Sequence, residues 1–239
     1  MRLHYAAALL LAALSSAAGP YSGRLSDDDL DRIRTIGIVS DIGHSFVFEQ
    51  VRERRAEWFG PPDSHFLETS DWGLDAHANE LARTALGPRL TVKPVAFVPA
   101  DFSSWDYALL KHATLDLNAD PAIDAYVLIL RDVCGDAIGH SVHALEGLGL
   151  YRRGTKLGLF ACYRIVVVDA LTGDTLASRA AGTQGLPWLP VAFWPRTPND
   201  LTAPQSAALA GLETKLIDAT LPPALAGLGL APQQAADRR

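Results

Sequence analysis

The feature that most constrains the fold is a long apolar segment over residues 159–170, which reads LFACYRIVVVDA. Its β-branched and aromatic residues are typical of a β-strand, and no other segment of the chain gives as strong a strand pattern. Thr172-Gly173-Asp174 follows and supplies a turn. Residues 175–180 then predict a returning strand, so this part of the chain predicts an antiparallel hairpin.

Other strands are predicted from shorter runs. Residues 35–40 (TIGIVS) and residues 125–130 (AYVLIL) are continuous apolar runs of strand length, and such a run suits a strand covered on both faces. Residues 45–51 predict a further strand. Residues 90–98 predict a strand that contains Pro94, which has no N–H to donate, so we expect this strand at an edge or a bulge.

Two helices are predicted from apolar residues at helical spacing. The first covers residues 71–86, with Ser70 or Asp71 as its cap and Gly87-Pro88 as its end. The second begins at a capping box made by Thr202 and Gln205, presents an apolar face over residues 209–217, and ends at Pro222-Pro223. A third, short helix is expected over residues 104–113, and the glycine-rich residues 147–158 indicate a loop or a wide hairpin.

The order of these elements indicates the fold class. Strand, helix, strand, helix and strand are followed by a hairpin and a last helix, which predicts a mixed α/β domain. Its single sheet is expected to start parallel and to finish antiparallel, packed with helices. No break in composition marks a second domain, so residues 32–230 are expected to form one domain, followed by a loose tail over residues 231–239.

The first residues carry the pattern of a secretory signal. Arg2 precedes the apolar run YAAALLLAAL of residues 5–14, and Ser16-Ala17-Ala18 supplies the small residues that a signal peptidase reads. We expect cleavage near Ala18 and a periplasmic or secreted protein with a flexible entry segment over residues 19–31. The run is too short to span a bilayer, and no cysteine lies near the cleavage site, so neither a transmembrane segment nor a lipid anchor is expected.

Charge excludes one class of function. The chain has 21 Lys and Arg against 27 Asp and Glu, a net charge of −6. Removal of residues 1–18 takes away Arg2, which leaves 20 basic and 27 acidic residues and a net charge of −7. A nucleic-acid-binding protein needs a basic face, so nucleic acid is not an expected partner.

The two cysteines allow two interpretations. Cys134 and Cys162 are 28 positions apart, and an exported protein meets an oxidising compartment in which a disulfide persists. A bridge that closes such a loop contributes about 3 kcal/mol. Two separate buried thiols are the alternative, because free cysteine is among the most buried residue types. The sequence leaves both interpretations open.

Residues 163–179, YRIVVVDALTGDTLASR, resemble a hairpin that recurs in envelope proteins, in which a strand ends in Asp-Ala and a Thr-Gly turn follows. The segment is similar to the α/β domains of curli-transport lipoproteins, of penicillin-binding-protein activator lipoproteins and of the amino-terminal domain of the Tol–Pal translocation protein. By topology the resemblance covers residues 33–220. It implies an export-pathway scaffold or interaction domain without catalysis, although many of those relatives carry the lipid-anchoring cysteine that is absent here.

A second resemblance implies an enzyme. Asp41 and His44 follow a buried strand, and residues 135–143 read GDAIGHSVH, which looks like parts of the metallophosphoesterase motifs. The family would use two metals to activate water. The spacing departs from the family, since Asp41 and His44 are separated by two residues, which on an extended strand sends their side chains to opposite faces. No G-N-H-E segment occurs.

The same residues allow a simpler metal site. If residues 136–143 are helical, Asp136, His140 and His143 share one face, and three such ligands with water would suit zinc or another divalent metal. The candidate metal ligands of the hydrolase alternative are therefore Asp41, His44, Asp136, His140 and His143. A polar loop with exposed His and Asp is the simpler interpretation of residues 136–143.

Two segments are candidates for binding. Residues 188–194 (WLPVAFW) lie between prolines, and Trp188, Phe193 and Trp194 would anchor a partner protein or a small ligand if exposed. Arg152 and Arg153 lie in the glycine-rich segment and would contact an anionic group. We therefore expect an exported protein without a cofactor that acts by binding, with an envelope protein as the expected partner. A metal-dependent hydrolase and a small-ligand carrier are the alternatives.

Overall fold

The computed structural model describes residues 23–51, 63–87, 89–95, 121–134, 145–153, 156–182, 189 and 200–232. Its strands and helices in chain order are α1 (Asp27–Arg32), β1 (Thr35–Asp41), β2 (Ser45–Val51), β3 (Asp63–Glu68), a 3-10 turn (Ser70–Trp72), α2 (Leu74–Leu86), β4 (Thr91–Lys93), β5 (Ala125–Arg131), β6 (Val133–Cys134), β7 (Leu145–Arg153), β8 (Lys156–Asp169), β9 (Thr175–Gly182) and α3 (Ala203–Gly227).

The strands form one mixed sheet in the order β3-β2-β7-β8-β5-β1-β4, with β9 paired to β8 and β6 paired to β7. The pairs β1–β4, β1–β5 and β2–β7 are parallel, whereas β8 is antiparallel to β5, β7 and β9. The α/β class and the mixed sheet are therefore as the sequence predicts. The predicted edge strand with Pro94 shortens to β4, which does lie at one end of the sheet.

The long strand β8 organises the sheet. Residues 156–162 of β8 pair with β7 and residues 163–169 pair with β5, while β9 occupies the other side over residues 162–168. Strands β5 and β7 therefore lie end to end along β8. Strands β1 and β2 lie end to end in the next position, because β1 pairs with β5 and β2 with β7. The row of β1 and β2 is interrupted at residues 42–44, and the row of β5 and β7 is interrupted at residue 132. We call this level of the sheet the sheet break.

Side chains of both faces are buried. Helices α2 and α3 pack on one face, the helix face, with alternate residues of β5 and β8 such as Val127, Ile129 and Ile165. The opposite face holds Tyr126, Leu128, Val166 and their neighbours. All of residues 125–130 are buried, as the continuous apolar run predicts.

The hairpin β8–β9 confirms the turn chemistry of the sequence. The Asp169 carboxylate accepts hydrogen bonds from the backbone N–H groups of Leu171 and Thr172, both at 2.9 Å. Gly173 has φ 72°, a left-handed conformation that costs a residue without a Cβ least. The glycine-rich residues 147–158 form most of a second hairpin, β7–β8, rather than a loop.

Helix α3 is longer than predicted. Its capping box at Thr202 and Gln205 is present, but Pro222 and Pro223 lie inside the helix and do not end it. The two prolines remove two backbone donors. The side chains of Leu221 and Leu225 on either side of the pair are fully buried, and their burial offsets that loss.

Two further boundaries differ from the sequence predictions. Helix α2 starts at Leu74, with Gly73 in a left-handed conformation as its cap, because residues 70–72 form the 3-10 turn. Part of the entry segment expected over residues 19–31 is helical. Residues 27–31 lie in α1, and Leu25 and Leu30 are buried because they pack in the core under α3.

The remaining sequence predictions concern other parts of the chain. The signal over residues 1–18, the short helix over residues 104–113 and the tail beyond residue 232 lie outside the described residues. Among the helices of the described ranges, none combines the length and the apolar character needed to cross a bilayer.

Candidate functional site

The sheet break brings Asp41 and His44 into contact. The Nδ1 atom of His44 lies 2.9 Å from Oδ1 of Asp41, whose side chain is completely buried, while 22% of the His44 side chain is exposed. The prediction that the two side chains lie on opposite faces is wrong, because it assumes an extended backbone. Strand β1 ends at Asp41 and residues 42–44 bend, which returns the imidazole to the carboxylate.

Asp75, in the first turn of α2, holds this bend. Its Oδ1 atom accepts hydrogen bonds from the Ser40 hydroxyl at 2.7 Å, from the Ile42 backbone N–H at 2.8 Å and from the Gly43 backbone N–H at 3.1 Å. On the other side of the bend, the Thr69 hydroxyl donates to the Gly43 carbonyl at 2.8 Å. The bend is therefore fixed by side chains from a helix and from the segment after β3.

Electrostatics set the state of the Asp41 carboxyl. Burial raises the pKa of Asp41 above its ordinary value, His44 and Arg131 lower that pKa, and Asp75 raises it. A buried acid that contacts one ring nitrogen fixes the orientation of an imidazole and leaves the other nitrogen for a ligand or a proton transfer. The pair therefore has the geometry of an oriented histidine.

A second ion pair lies at the same level of the sheet. The Nε atom of Arg164 on β8 is 2.8 Å from Oδ2 of Asp132, whose side chain is 2% exposed. Arg131, the residue before Asp132, donates to the Ser45 hydroxyl at 3.2 Å. Two serines lie close to His44 in sequence, and both hydroxyl groups form hydrogen bonds with residues other than His44. Ser40 donates to Asp75, and Ser45 accepts from Arg131. The sheet break therefore gathers two acid–base pairs, Asp41 with His44 and Asp132 with Arg164.

The structure positions two of the five metal-site candidates. Asp41 and His44 are in contact, whereas Asp136, His140 and His143 lie outside the described residues, in the segment that joins β6 to β7. Within the described ranges, no group of three His, Cys, Asp or Glu side chains is arranged to hold a metal ion. The metal site therefore stays a prediction.

Cys134 and Cys162 form a disulfide, which decides between the two interpretations of the cysteines. Their Cα atoms are 5.3 Å apart, within the range that a disulfide spans. The bridge ties β6, next to the sheet break, to the middle of β8. Disulfides persist in oxidising compartments, so the bond fits an exported protein.

The binding candidates are only partly described. Trp188, Phe193 and Trp194 lie outside the described residues. Arg152 is half-buried near the end of β7, in register with Gln50 of β2, and Arg153 is the last residue of that strand. Binding by these residues stays a prediction.

Sequence reasoning missed strand β3, which is an end strand of the described sheet. Its pattern is weak, because the two apolar residues Phe66 and Leu67 are adjacent and point to opposite faces. Leu67 packs against the core, whereas Phe66 is 67% exposed. Leu171, in the β8–β9 turn, is the other large apolar side chain with high exposure in the described ranges, at 80%.

Sequence reasoning also missed two buried acids. Glu49 on β2 is 4% exposed, and burial raises its pKa to about 7. Glu213 on α3 is completely buried. Its position gives a signal, since it lies four residues after Leu209 and four before Ile217, and therefore on the apolar face of the helix.

His77 links helix α2 to helix α3. Its Nε2 atom lies 2.7 Å from Oδ1 of Asp218, which is 141 residues away in the chain. Spacing within α2 alone contains no signal for it.

Three solved structures are similar to this chain in outline. Protein XCC0632 from Xanthomonas campestris, described with the family model DUF330, shares 10% identity over 83% of this chain and 84% of its own, with a TM-score of 0.38. Lipoprotein GNA1162 from Neisseria meningitidis shares 13% identity over 77% and 97%, with a TM-score of 0.33. The hypothetical protein CT253 from Chlamydia trachomatis shares 11% identity over 81% and 98%, with a TM-score of 0.31.

At these TM-scores the three structures assign neither a family nor an activity to this chain. No family model matches the sequence, and no curated protein matches it. None of the three structures is described as a curli-transport or Tol–Pal protein, so the resemblance of residues 163–179 to those proteins stays a prediction.

Proposed function

We propose that the protein is an exported, non-catalytic envelope protein that binds another protein along the outer edge of β3. The observation that carries the proposal is the exposed Phe66 on a six-residue strand that ends the described sheet. The backbone groups of such an edge are a template for an added strand. Phe66 offers an apolar contact for the first side chain of that strand.

The other described edges are less suited to an added strand. Strand β4 has three residues and is followed by Pro94. Next to β9, the backbone N–H of Gly23 donates to the Ser178 carbonyl at 3.2 Å, so part of that edge is already paired. Among the end strands of the described sheet, β3 is the one that carries a large, exposed apolar side chain.

The chemistry of the edge defines the partner. Phe66 and Glu68 lie on the same face of β3, because side chains two residues apart in a strand share a face. An extended segment with an apolar residue opposite Phe66 and a basic residue opposite Glu68 complements this edge. A charged residue on an edge strand also disfavours unspecific pairing with other strands.

A crosslinking experiment tests the proposal. The protein carries a photo-crosslinking amino acid at position 66 and serves as the bait in an envelope extract. We expect a specific crosslinked protein at position 66 and none when the same amino acid replaces Leu171, which is more exposed but lies in a turn. Phe66→Ser should reduce capture by the unlabelled protein at least tenfold, and Leu171→Ser should not. Equal capture by Phe66→Ser and the wild type would contradict binding at the β3 edge. The same comparison with Trp188→Ser and Trp194→Ser tests binding by residues 188–194.

The 2.9 Å contact of Asp41 with His44 favours a second candidate, a metal-dependent hydrolase. In that function, Asp41 and His44 would bind the metal with Asp136, His140 and His143, and the metal would activate water. Metal analysis of the purified protein tests it. One or more equivalents of zinc, manganese or iron that are lost in both His44→Ala and His140→Ala would favour the hydrolase over the binding protein.

A further inference from the structure

Glu213 is a carboxyl group at the interface between α3 and the helix face of the sheet. Its side chain is completely buried, one helical turn from the buried Leu209 and one from the buried Ile217. The backbone amide of Gly149 on β7 is the polar group that acts on it. In the described part of the chain, no donor reaches ordinary hydrogen-bonding geometry with either carboxyl oxygen. An apolar interface of this kind accommodates a neutral carboxyl and strongly disfavours a carboxylate.

The groups that face Glu213 from β8 do not supply a proton or a charge to it. The Thr220 hydroxyl donates to the Leu216 carbonyl at 2.7 Å, so the Tyr163 hydroxyl, at 2.6 Å, must donate to Thr220. That donation occupies the only proton of Tyr163. Burial also raises the pKa of Tyr163, which keeps this neighbour neutral.

In the described ranges, the charged groups of the other elements that pack on α3 lie at its rim. His77 of α2 contacts Asp218, and both side chains are about one-third to one-half exposed. Arg179 of β9 is exposed and lies against Gly227 at the end of the helix. Burial raises the pKa of Glu213 well above its ordinary value, and the Gly149 amide lowers it only in part.

The end of α3 holds other parts of the protein in place. The Leu25 backbone N–H donates to the Leu228 carbonyl at 3.1 Å, and the Arg89 guanidinium donates to the Gly229 carbonyl at 2.7 Å. Movement of α3 away from the sheet would therefore also release the segment that leads into α1. The helix that carries Glu213 is thus linked by a backbone hydrogen bond to the segment before α1.

We propose that Glu213 is a proton-controlled latch: α3 is packed on the sheet while the carboxyl group is neutral, and loss of its proton to water releases the helix. The sign follows from linkage. In the released state the carboxyl group has its ordinary pKa near 4.5, so packing is strongest below that pH. Packing weakens as the pH rises toward the pKa that Glu213 has in the packed state. The opening equilibrium then rises about tenfold per pH unit in that window.

Hydrogen–deuterium exchange of residues 203–227 between pH 5 and pH 8, corrected for the intrinsic exchange rates, tests the latch. We expect protection in the wild-type protein to fall with pH and protection in Glu213→Gln to be independent of pH. His77→Gln, which removes the contact with Asp218, and Glu80→Gln, an exposed acid on α2, should keep the wild-type slope.

Two results would overturn the latch. One is a wild-type protection that does not change with pH, and the other is a slope that persists in Glu213→Gln. If the glutamine variant does not fold, Glu213→Met replaces the carboxyl with an apolar group of similar length, and the latch then predicts a folded protein with pH-independent protection. Failure of both variants to fold at pH 5, where the wild-type carboxyl is neutral, would assign Glu213 a structural role instead.

Discussion

The Nδ1 atom of His44 lies 2.9 Å from Oδ1 of Asp41, although the two residues begin and end a bend that separates two strands of the sheet. Each side chain alone would be unremarkable. Together they place an oriented, partly exposed imidazole at the sheet break, where two neighbouring rows of strands are interrupted. Asp75 holds the bend between them, because its carboxylate accepts hydrogen bonds from the backbone N–H groups of Ile42 and Gly43.

Asp75→Ala should disrupt the bend. The substitution removes the acceptor of the Ile42 and Gly43 backbone N–H groups and of the Ser40 hydroxyl, and it leaves these donors part-buried. We expect a loss of about 2 kcal/mol in the free energy of unfolding, measured with urea. We also expect a change in the NMR signals of the His44 ring, because the contact with Asp41 is lost.

Asp71→Ala is the matched control for Asp75→Ala. Asp71 lies four residues earlier, in the 3-10 turn, and its side chain is exposed. Its removal should leave the His44 signals unchanged. If Asp75→Ala and Asp71→Ala give the same His44 signals as the wild type, the bend does not depend on Asp75.

The sheet was predictable from sequence where its pattern is local, and the site was not. Strands β5, β8 and β9 follow from runs of consecutive apolar residues and a turn, and each is found within a few residues of its predicted position. The contact of Asp41 with His44 depends on an acceptor 33 residues away from Ile42, which no pattern within residues 35–45 contains. Tertiary contacts therefore decide the site.

Helix α3 illustrates the same limit. Its start follows from the capping box of Thr202 and Gln205, which is a local motif. Its end does not follow from Pro222-Pro223, because the residues around the prolines are buried against the sheet and α2. A proline signal is a local cost, and the packing of Leu221, Leu225 and Leu228 outweighs it.

Arg164→Met should strongly destabilise the protein. The substitution removes the guanidinium that lies 2.8 Å from the almost fully buried Asp132 carboxylate, and it leaves the hydrogen bond from the Val133 backbone N–H. We expect a loss of about 3 kcal/mol in the free energy of unfolding at pH 7.

Arg83→Met is the control for Arg164→Met, because Arg83 pairs with Glu80 on the exposed side of α2. Urea unfolding should detect no change for this variant, as is usual for exposed ion pairs. Equal stabilities of Arg164→Met and the wild type would contradict a stabilising role of the contact between Arg164 and Asp132.

Removal of the disulfide should lower stability without a change of fold. Cys134→Ala combined with Cys162→Ala opens the 28-residue loop that the bond closes. We expect a loss of about 3 kcal/mol in guanidinium unfolding. The wild-type protein in the presence of a reductant should reproduce the double variant, and a reductant should have no effect on the variant itself. A reductant effect on the variant would show that the comparison measures something other than this bond.

Glu49 should make stability depend on pH in a defined window. Burial raises its pKa to about 7 in the folded protein from an ordinary value of 4.5. Its contribution is therefore fully present below pH 4.5 and is lost as the pH rises to 7, a loss on the order of 3 kcal/mol. Glu49→Gln should unfold at the same urea concentration as the wild type near pH 4 and at a higher one at pH 8.

Glu68→Gln on the neighbouring strand should show the opposite trend. Hydrogen bonds from Ser70 lower the pKa of Glu68, so this acid stabilises the folded protein above its ordinary pKa and loses that effect as the pH falls. Glu68 is exposed, which makes the expected change small.

Any slope that Glu49→Gln retains between pH 5 and pH 7 should be reduced further in the double variant with Glu213→Gln, because both buried acids act with the same sign. A Glu49→Gln variant with the full wild-type slope would place the ionisation of Glu49 outside this window.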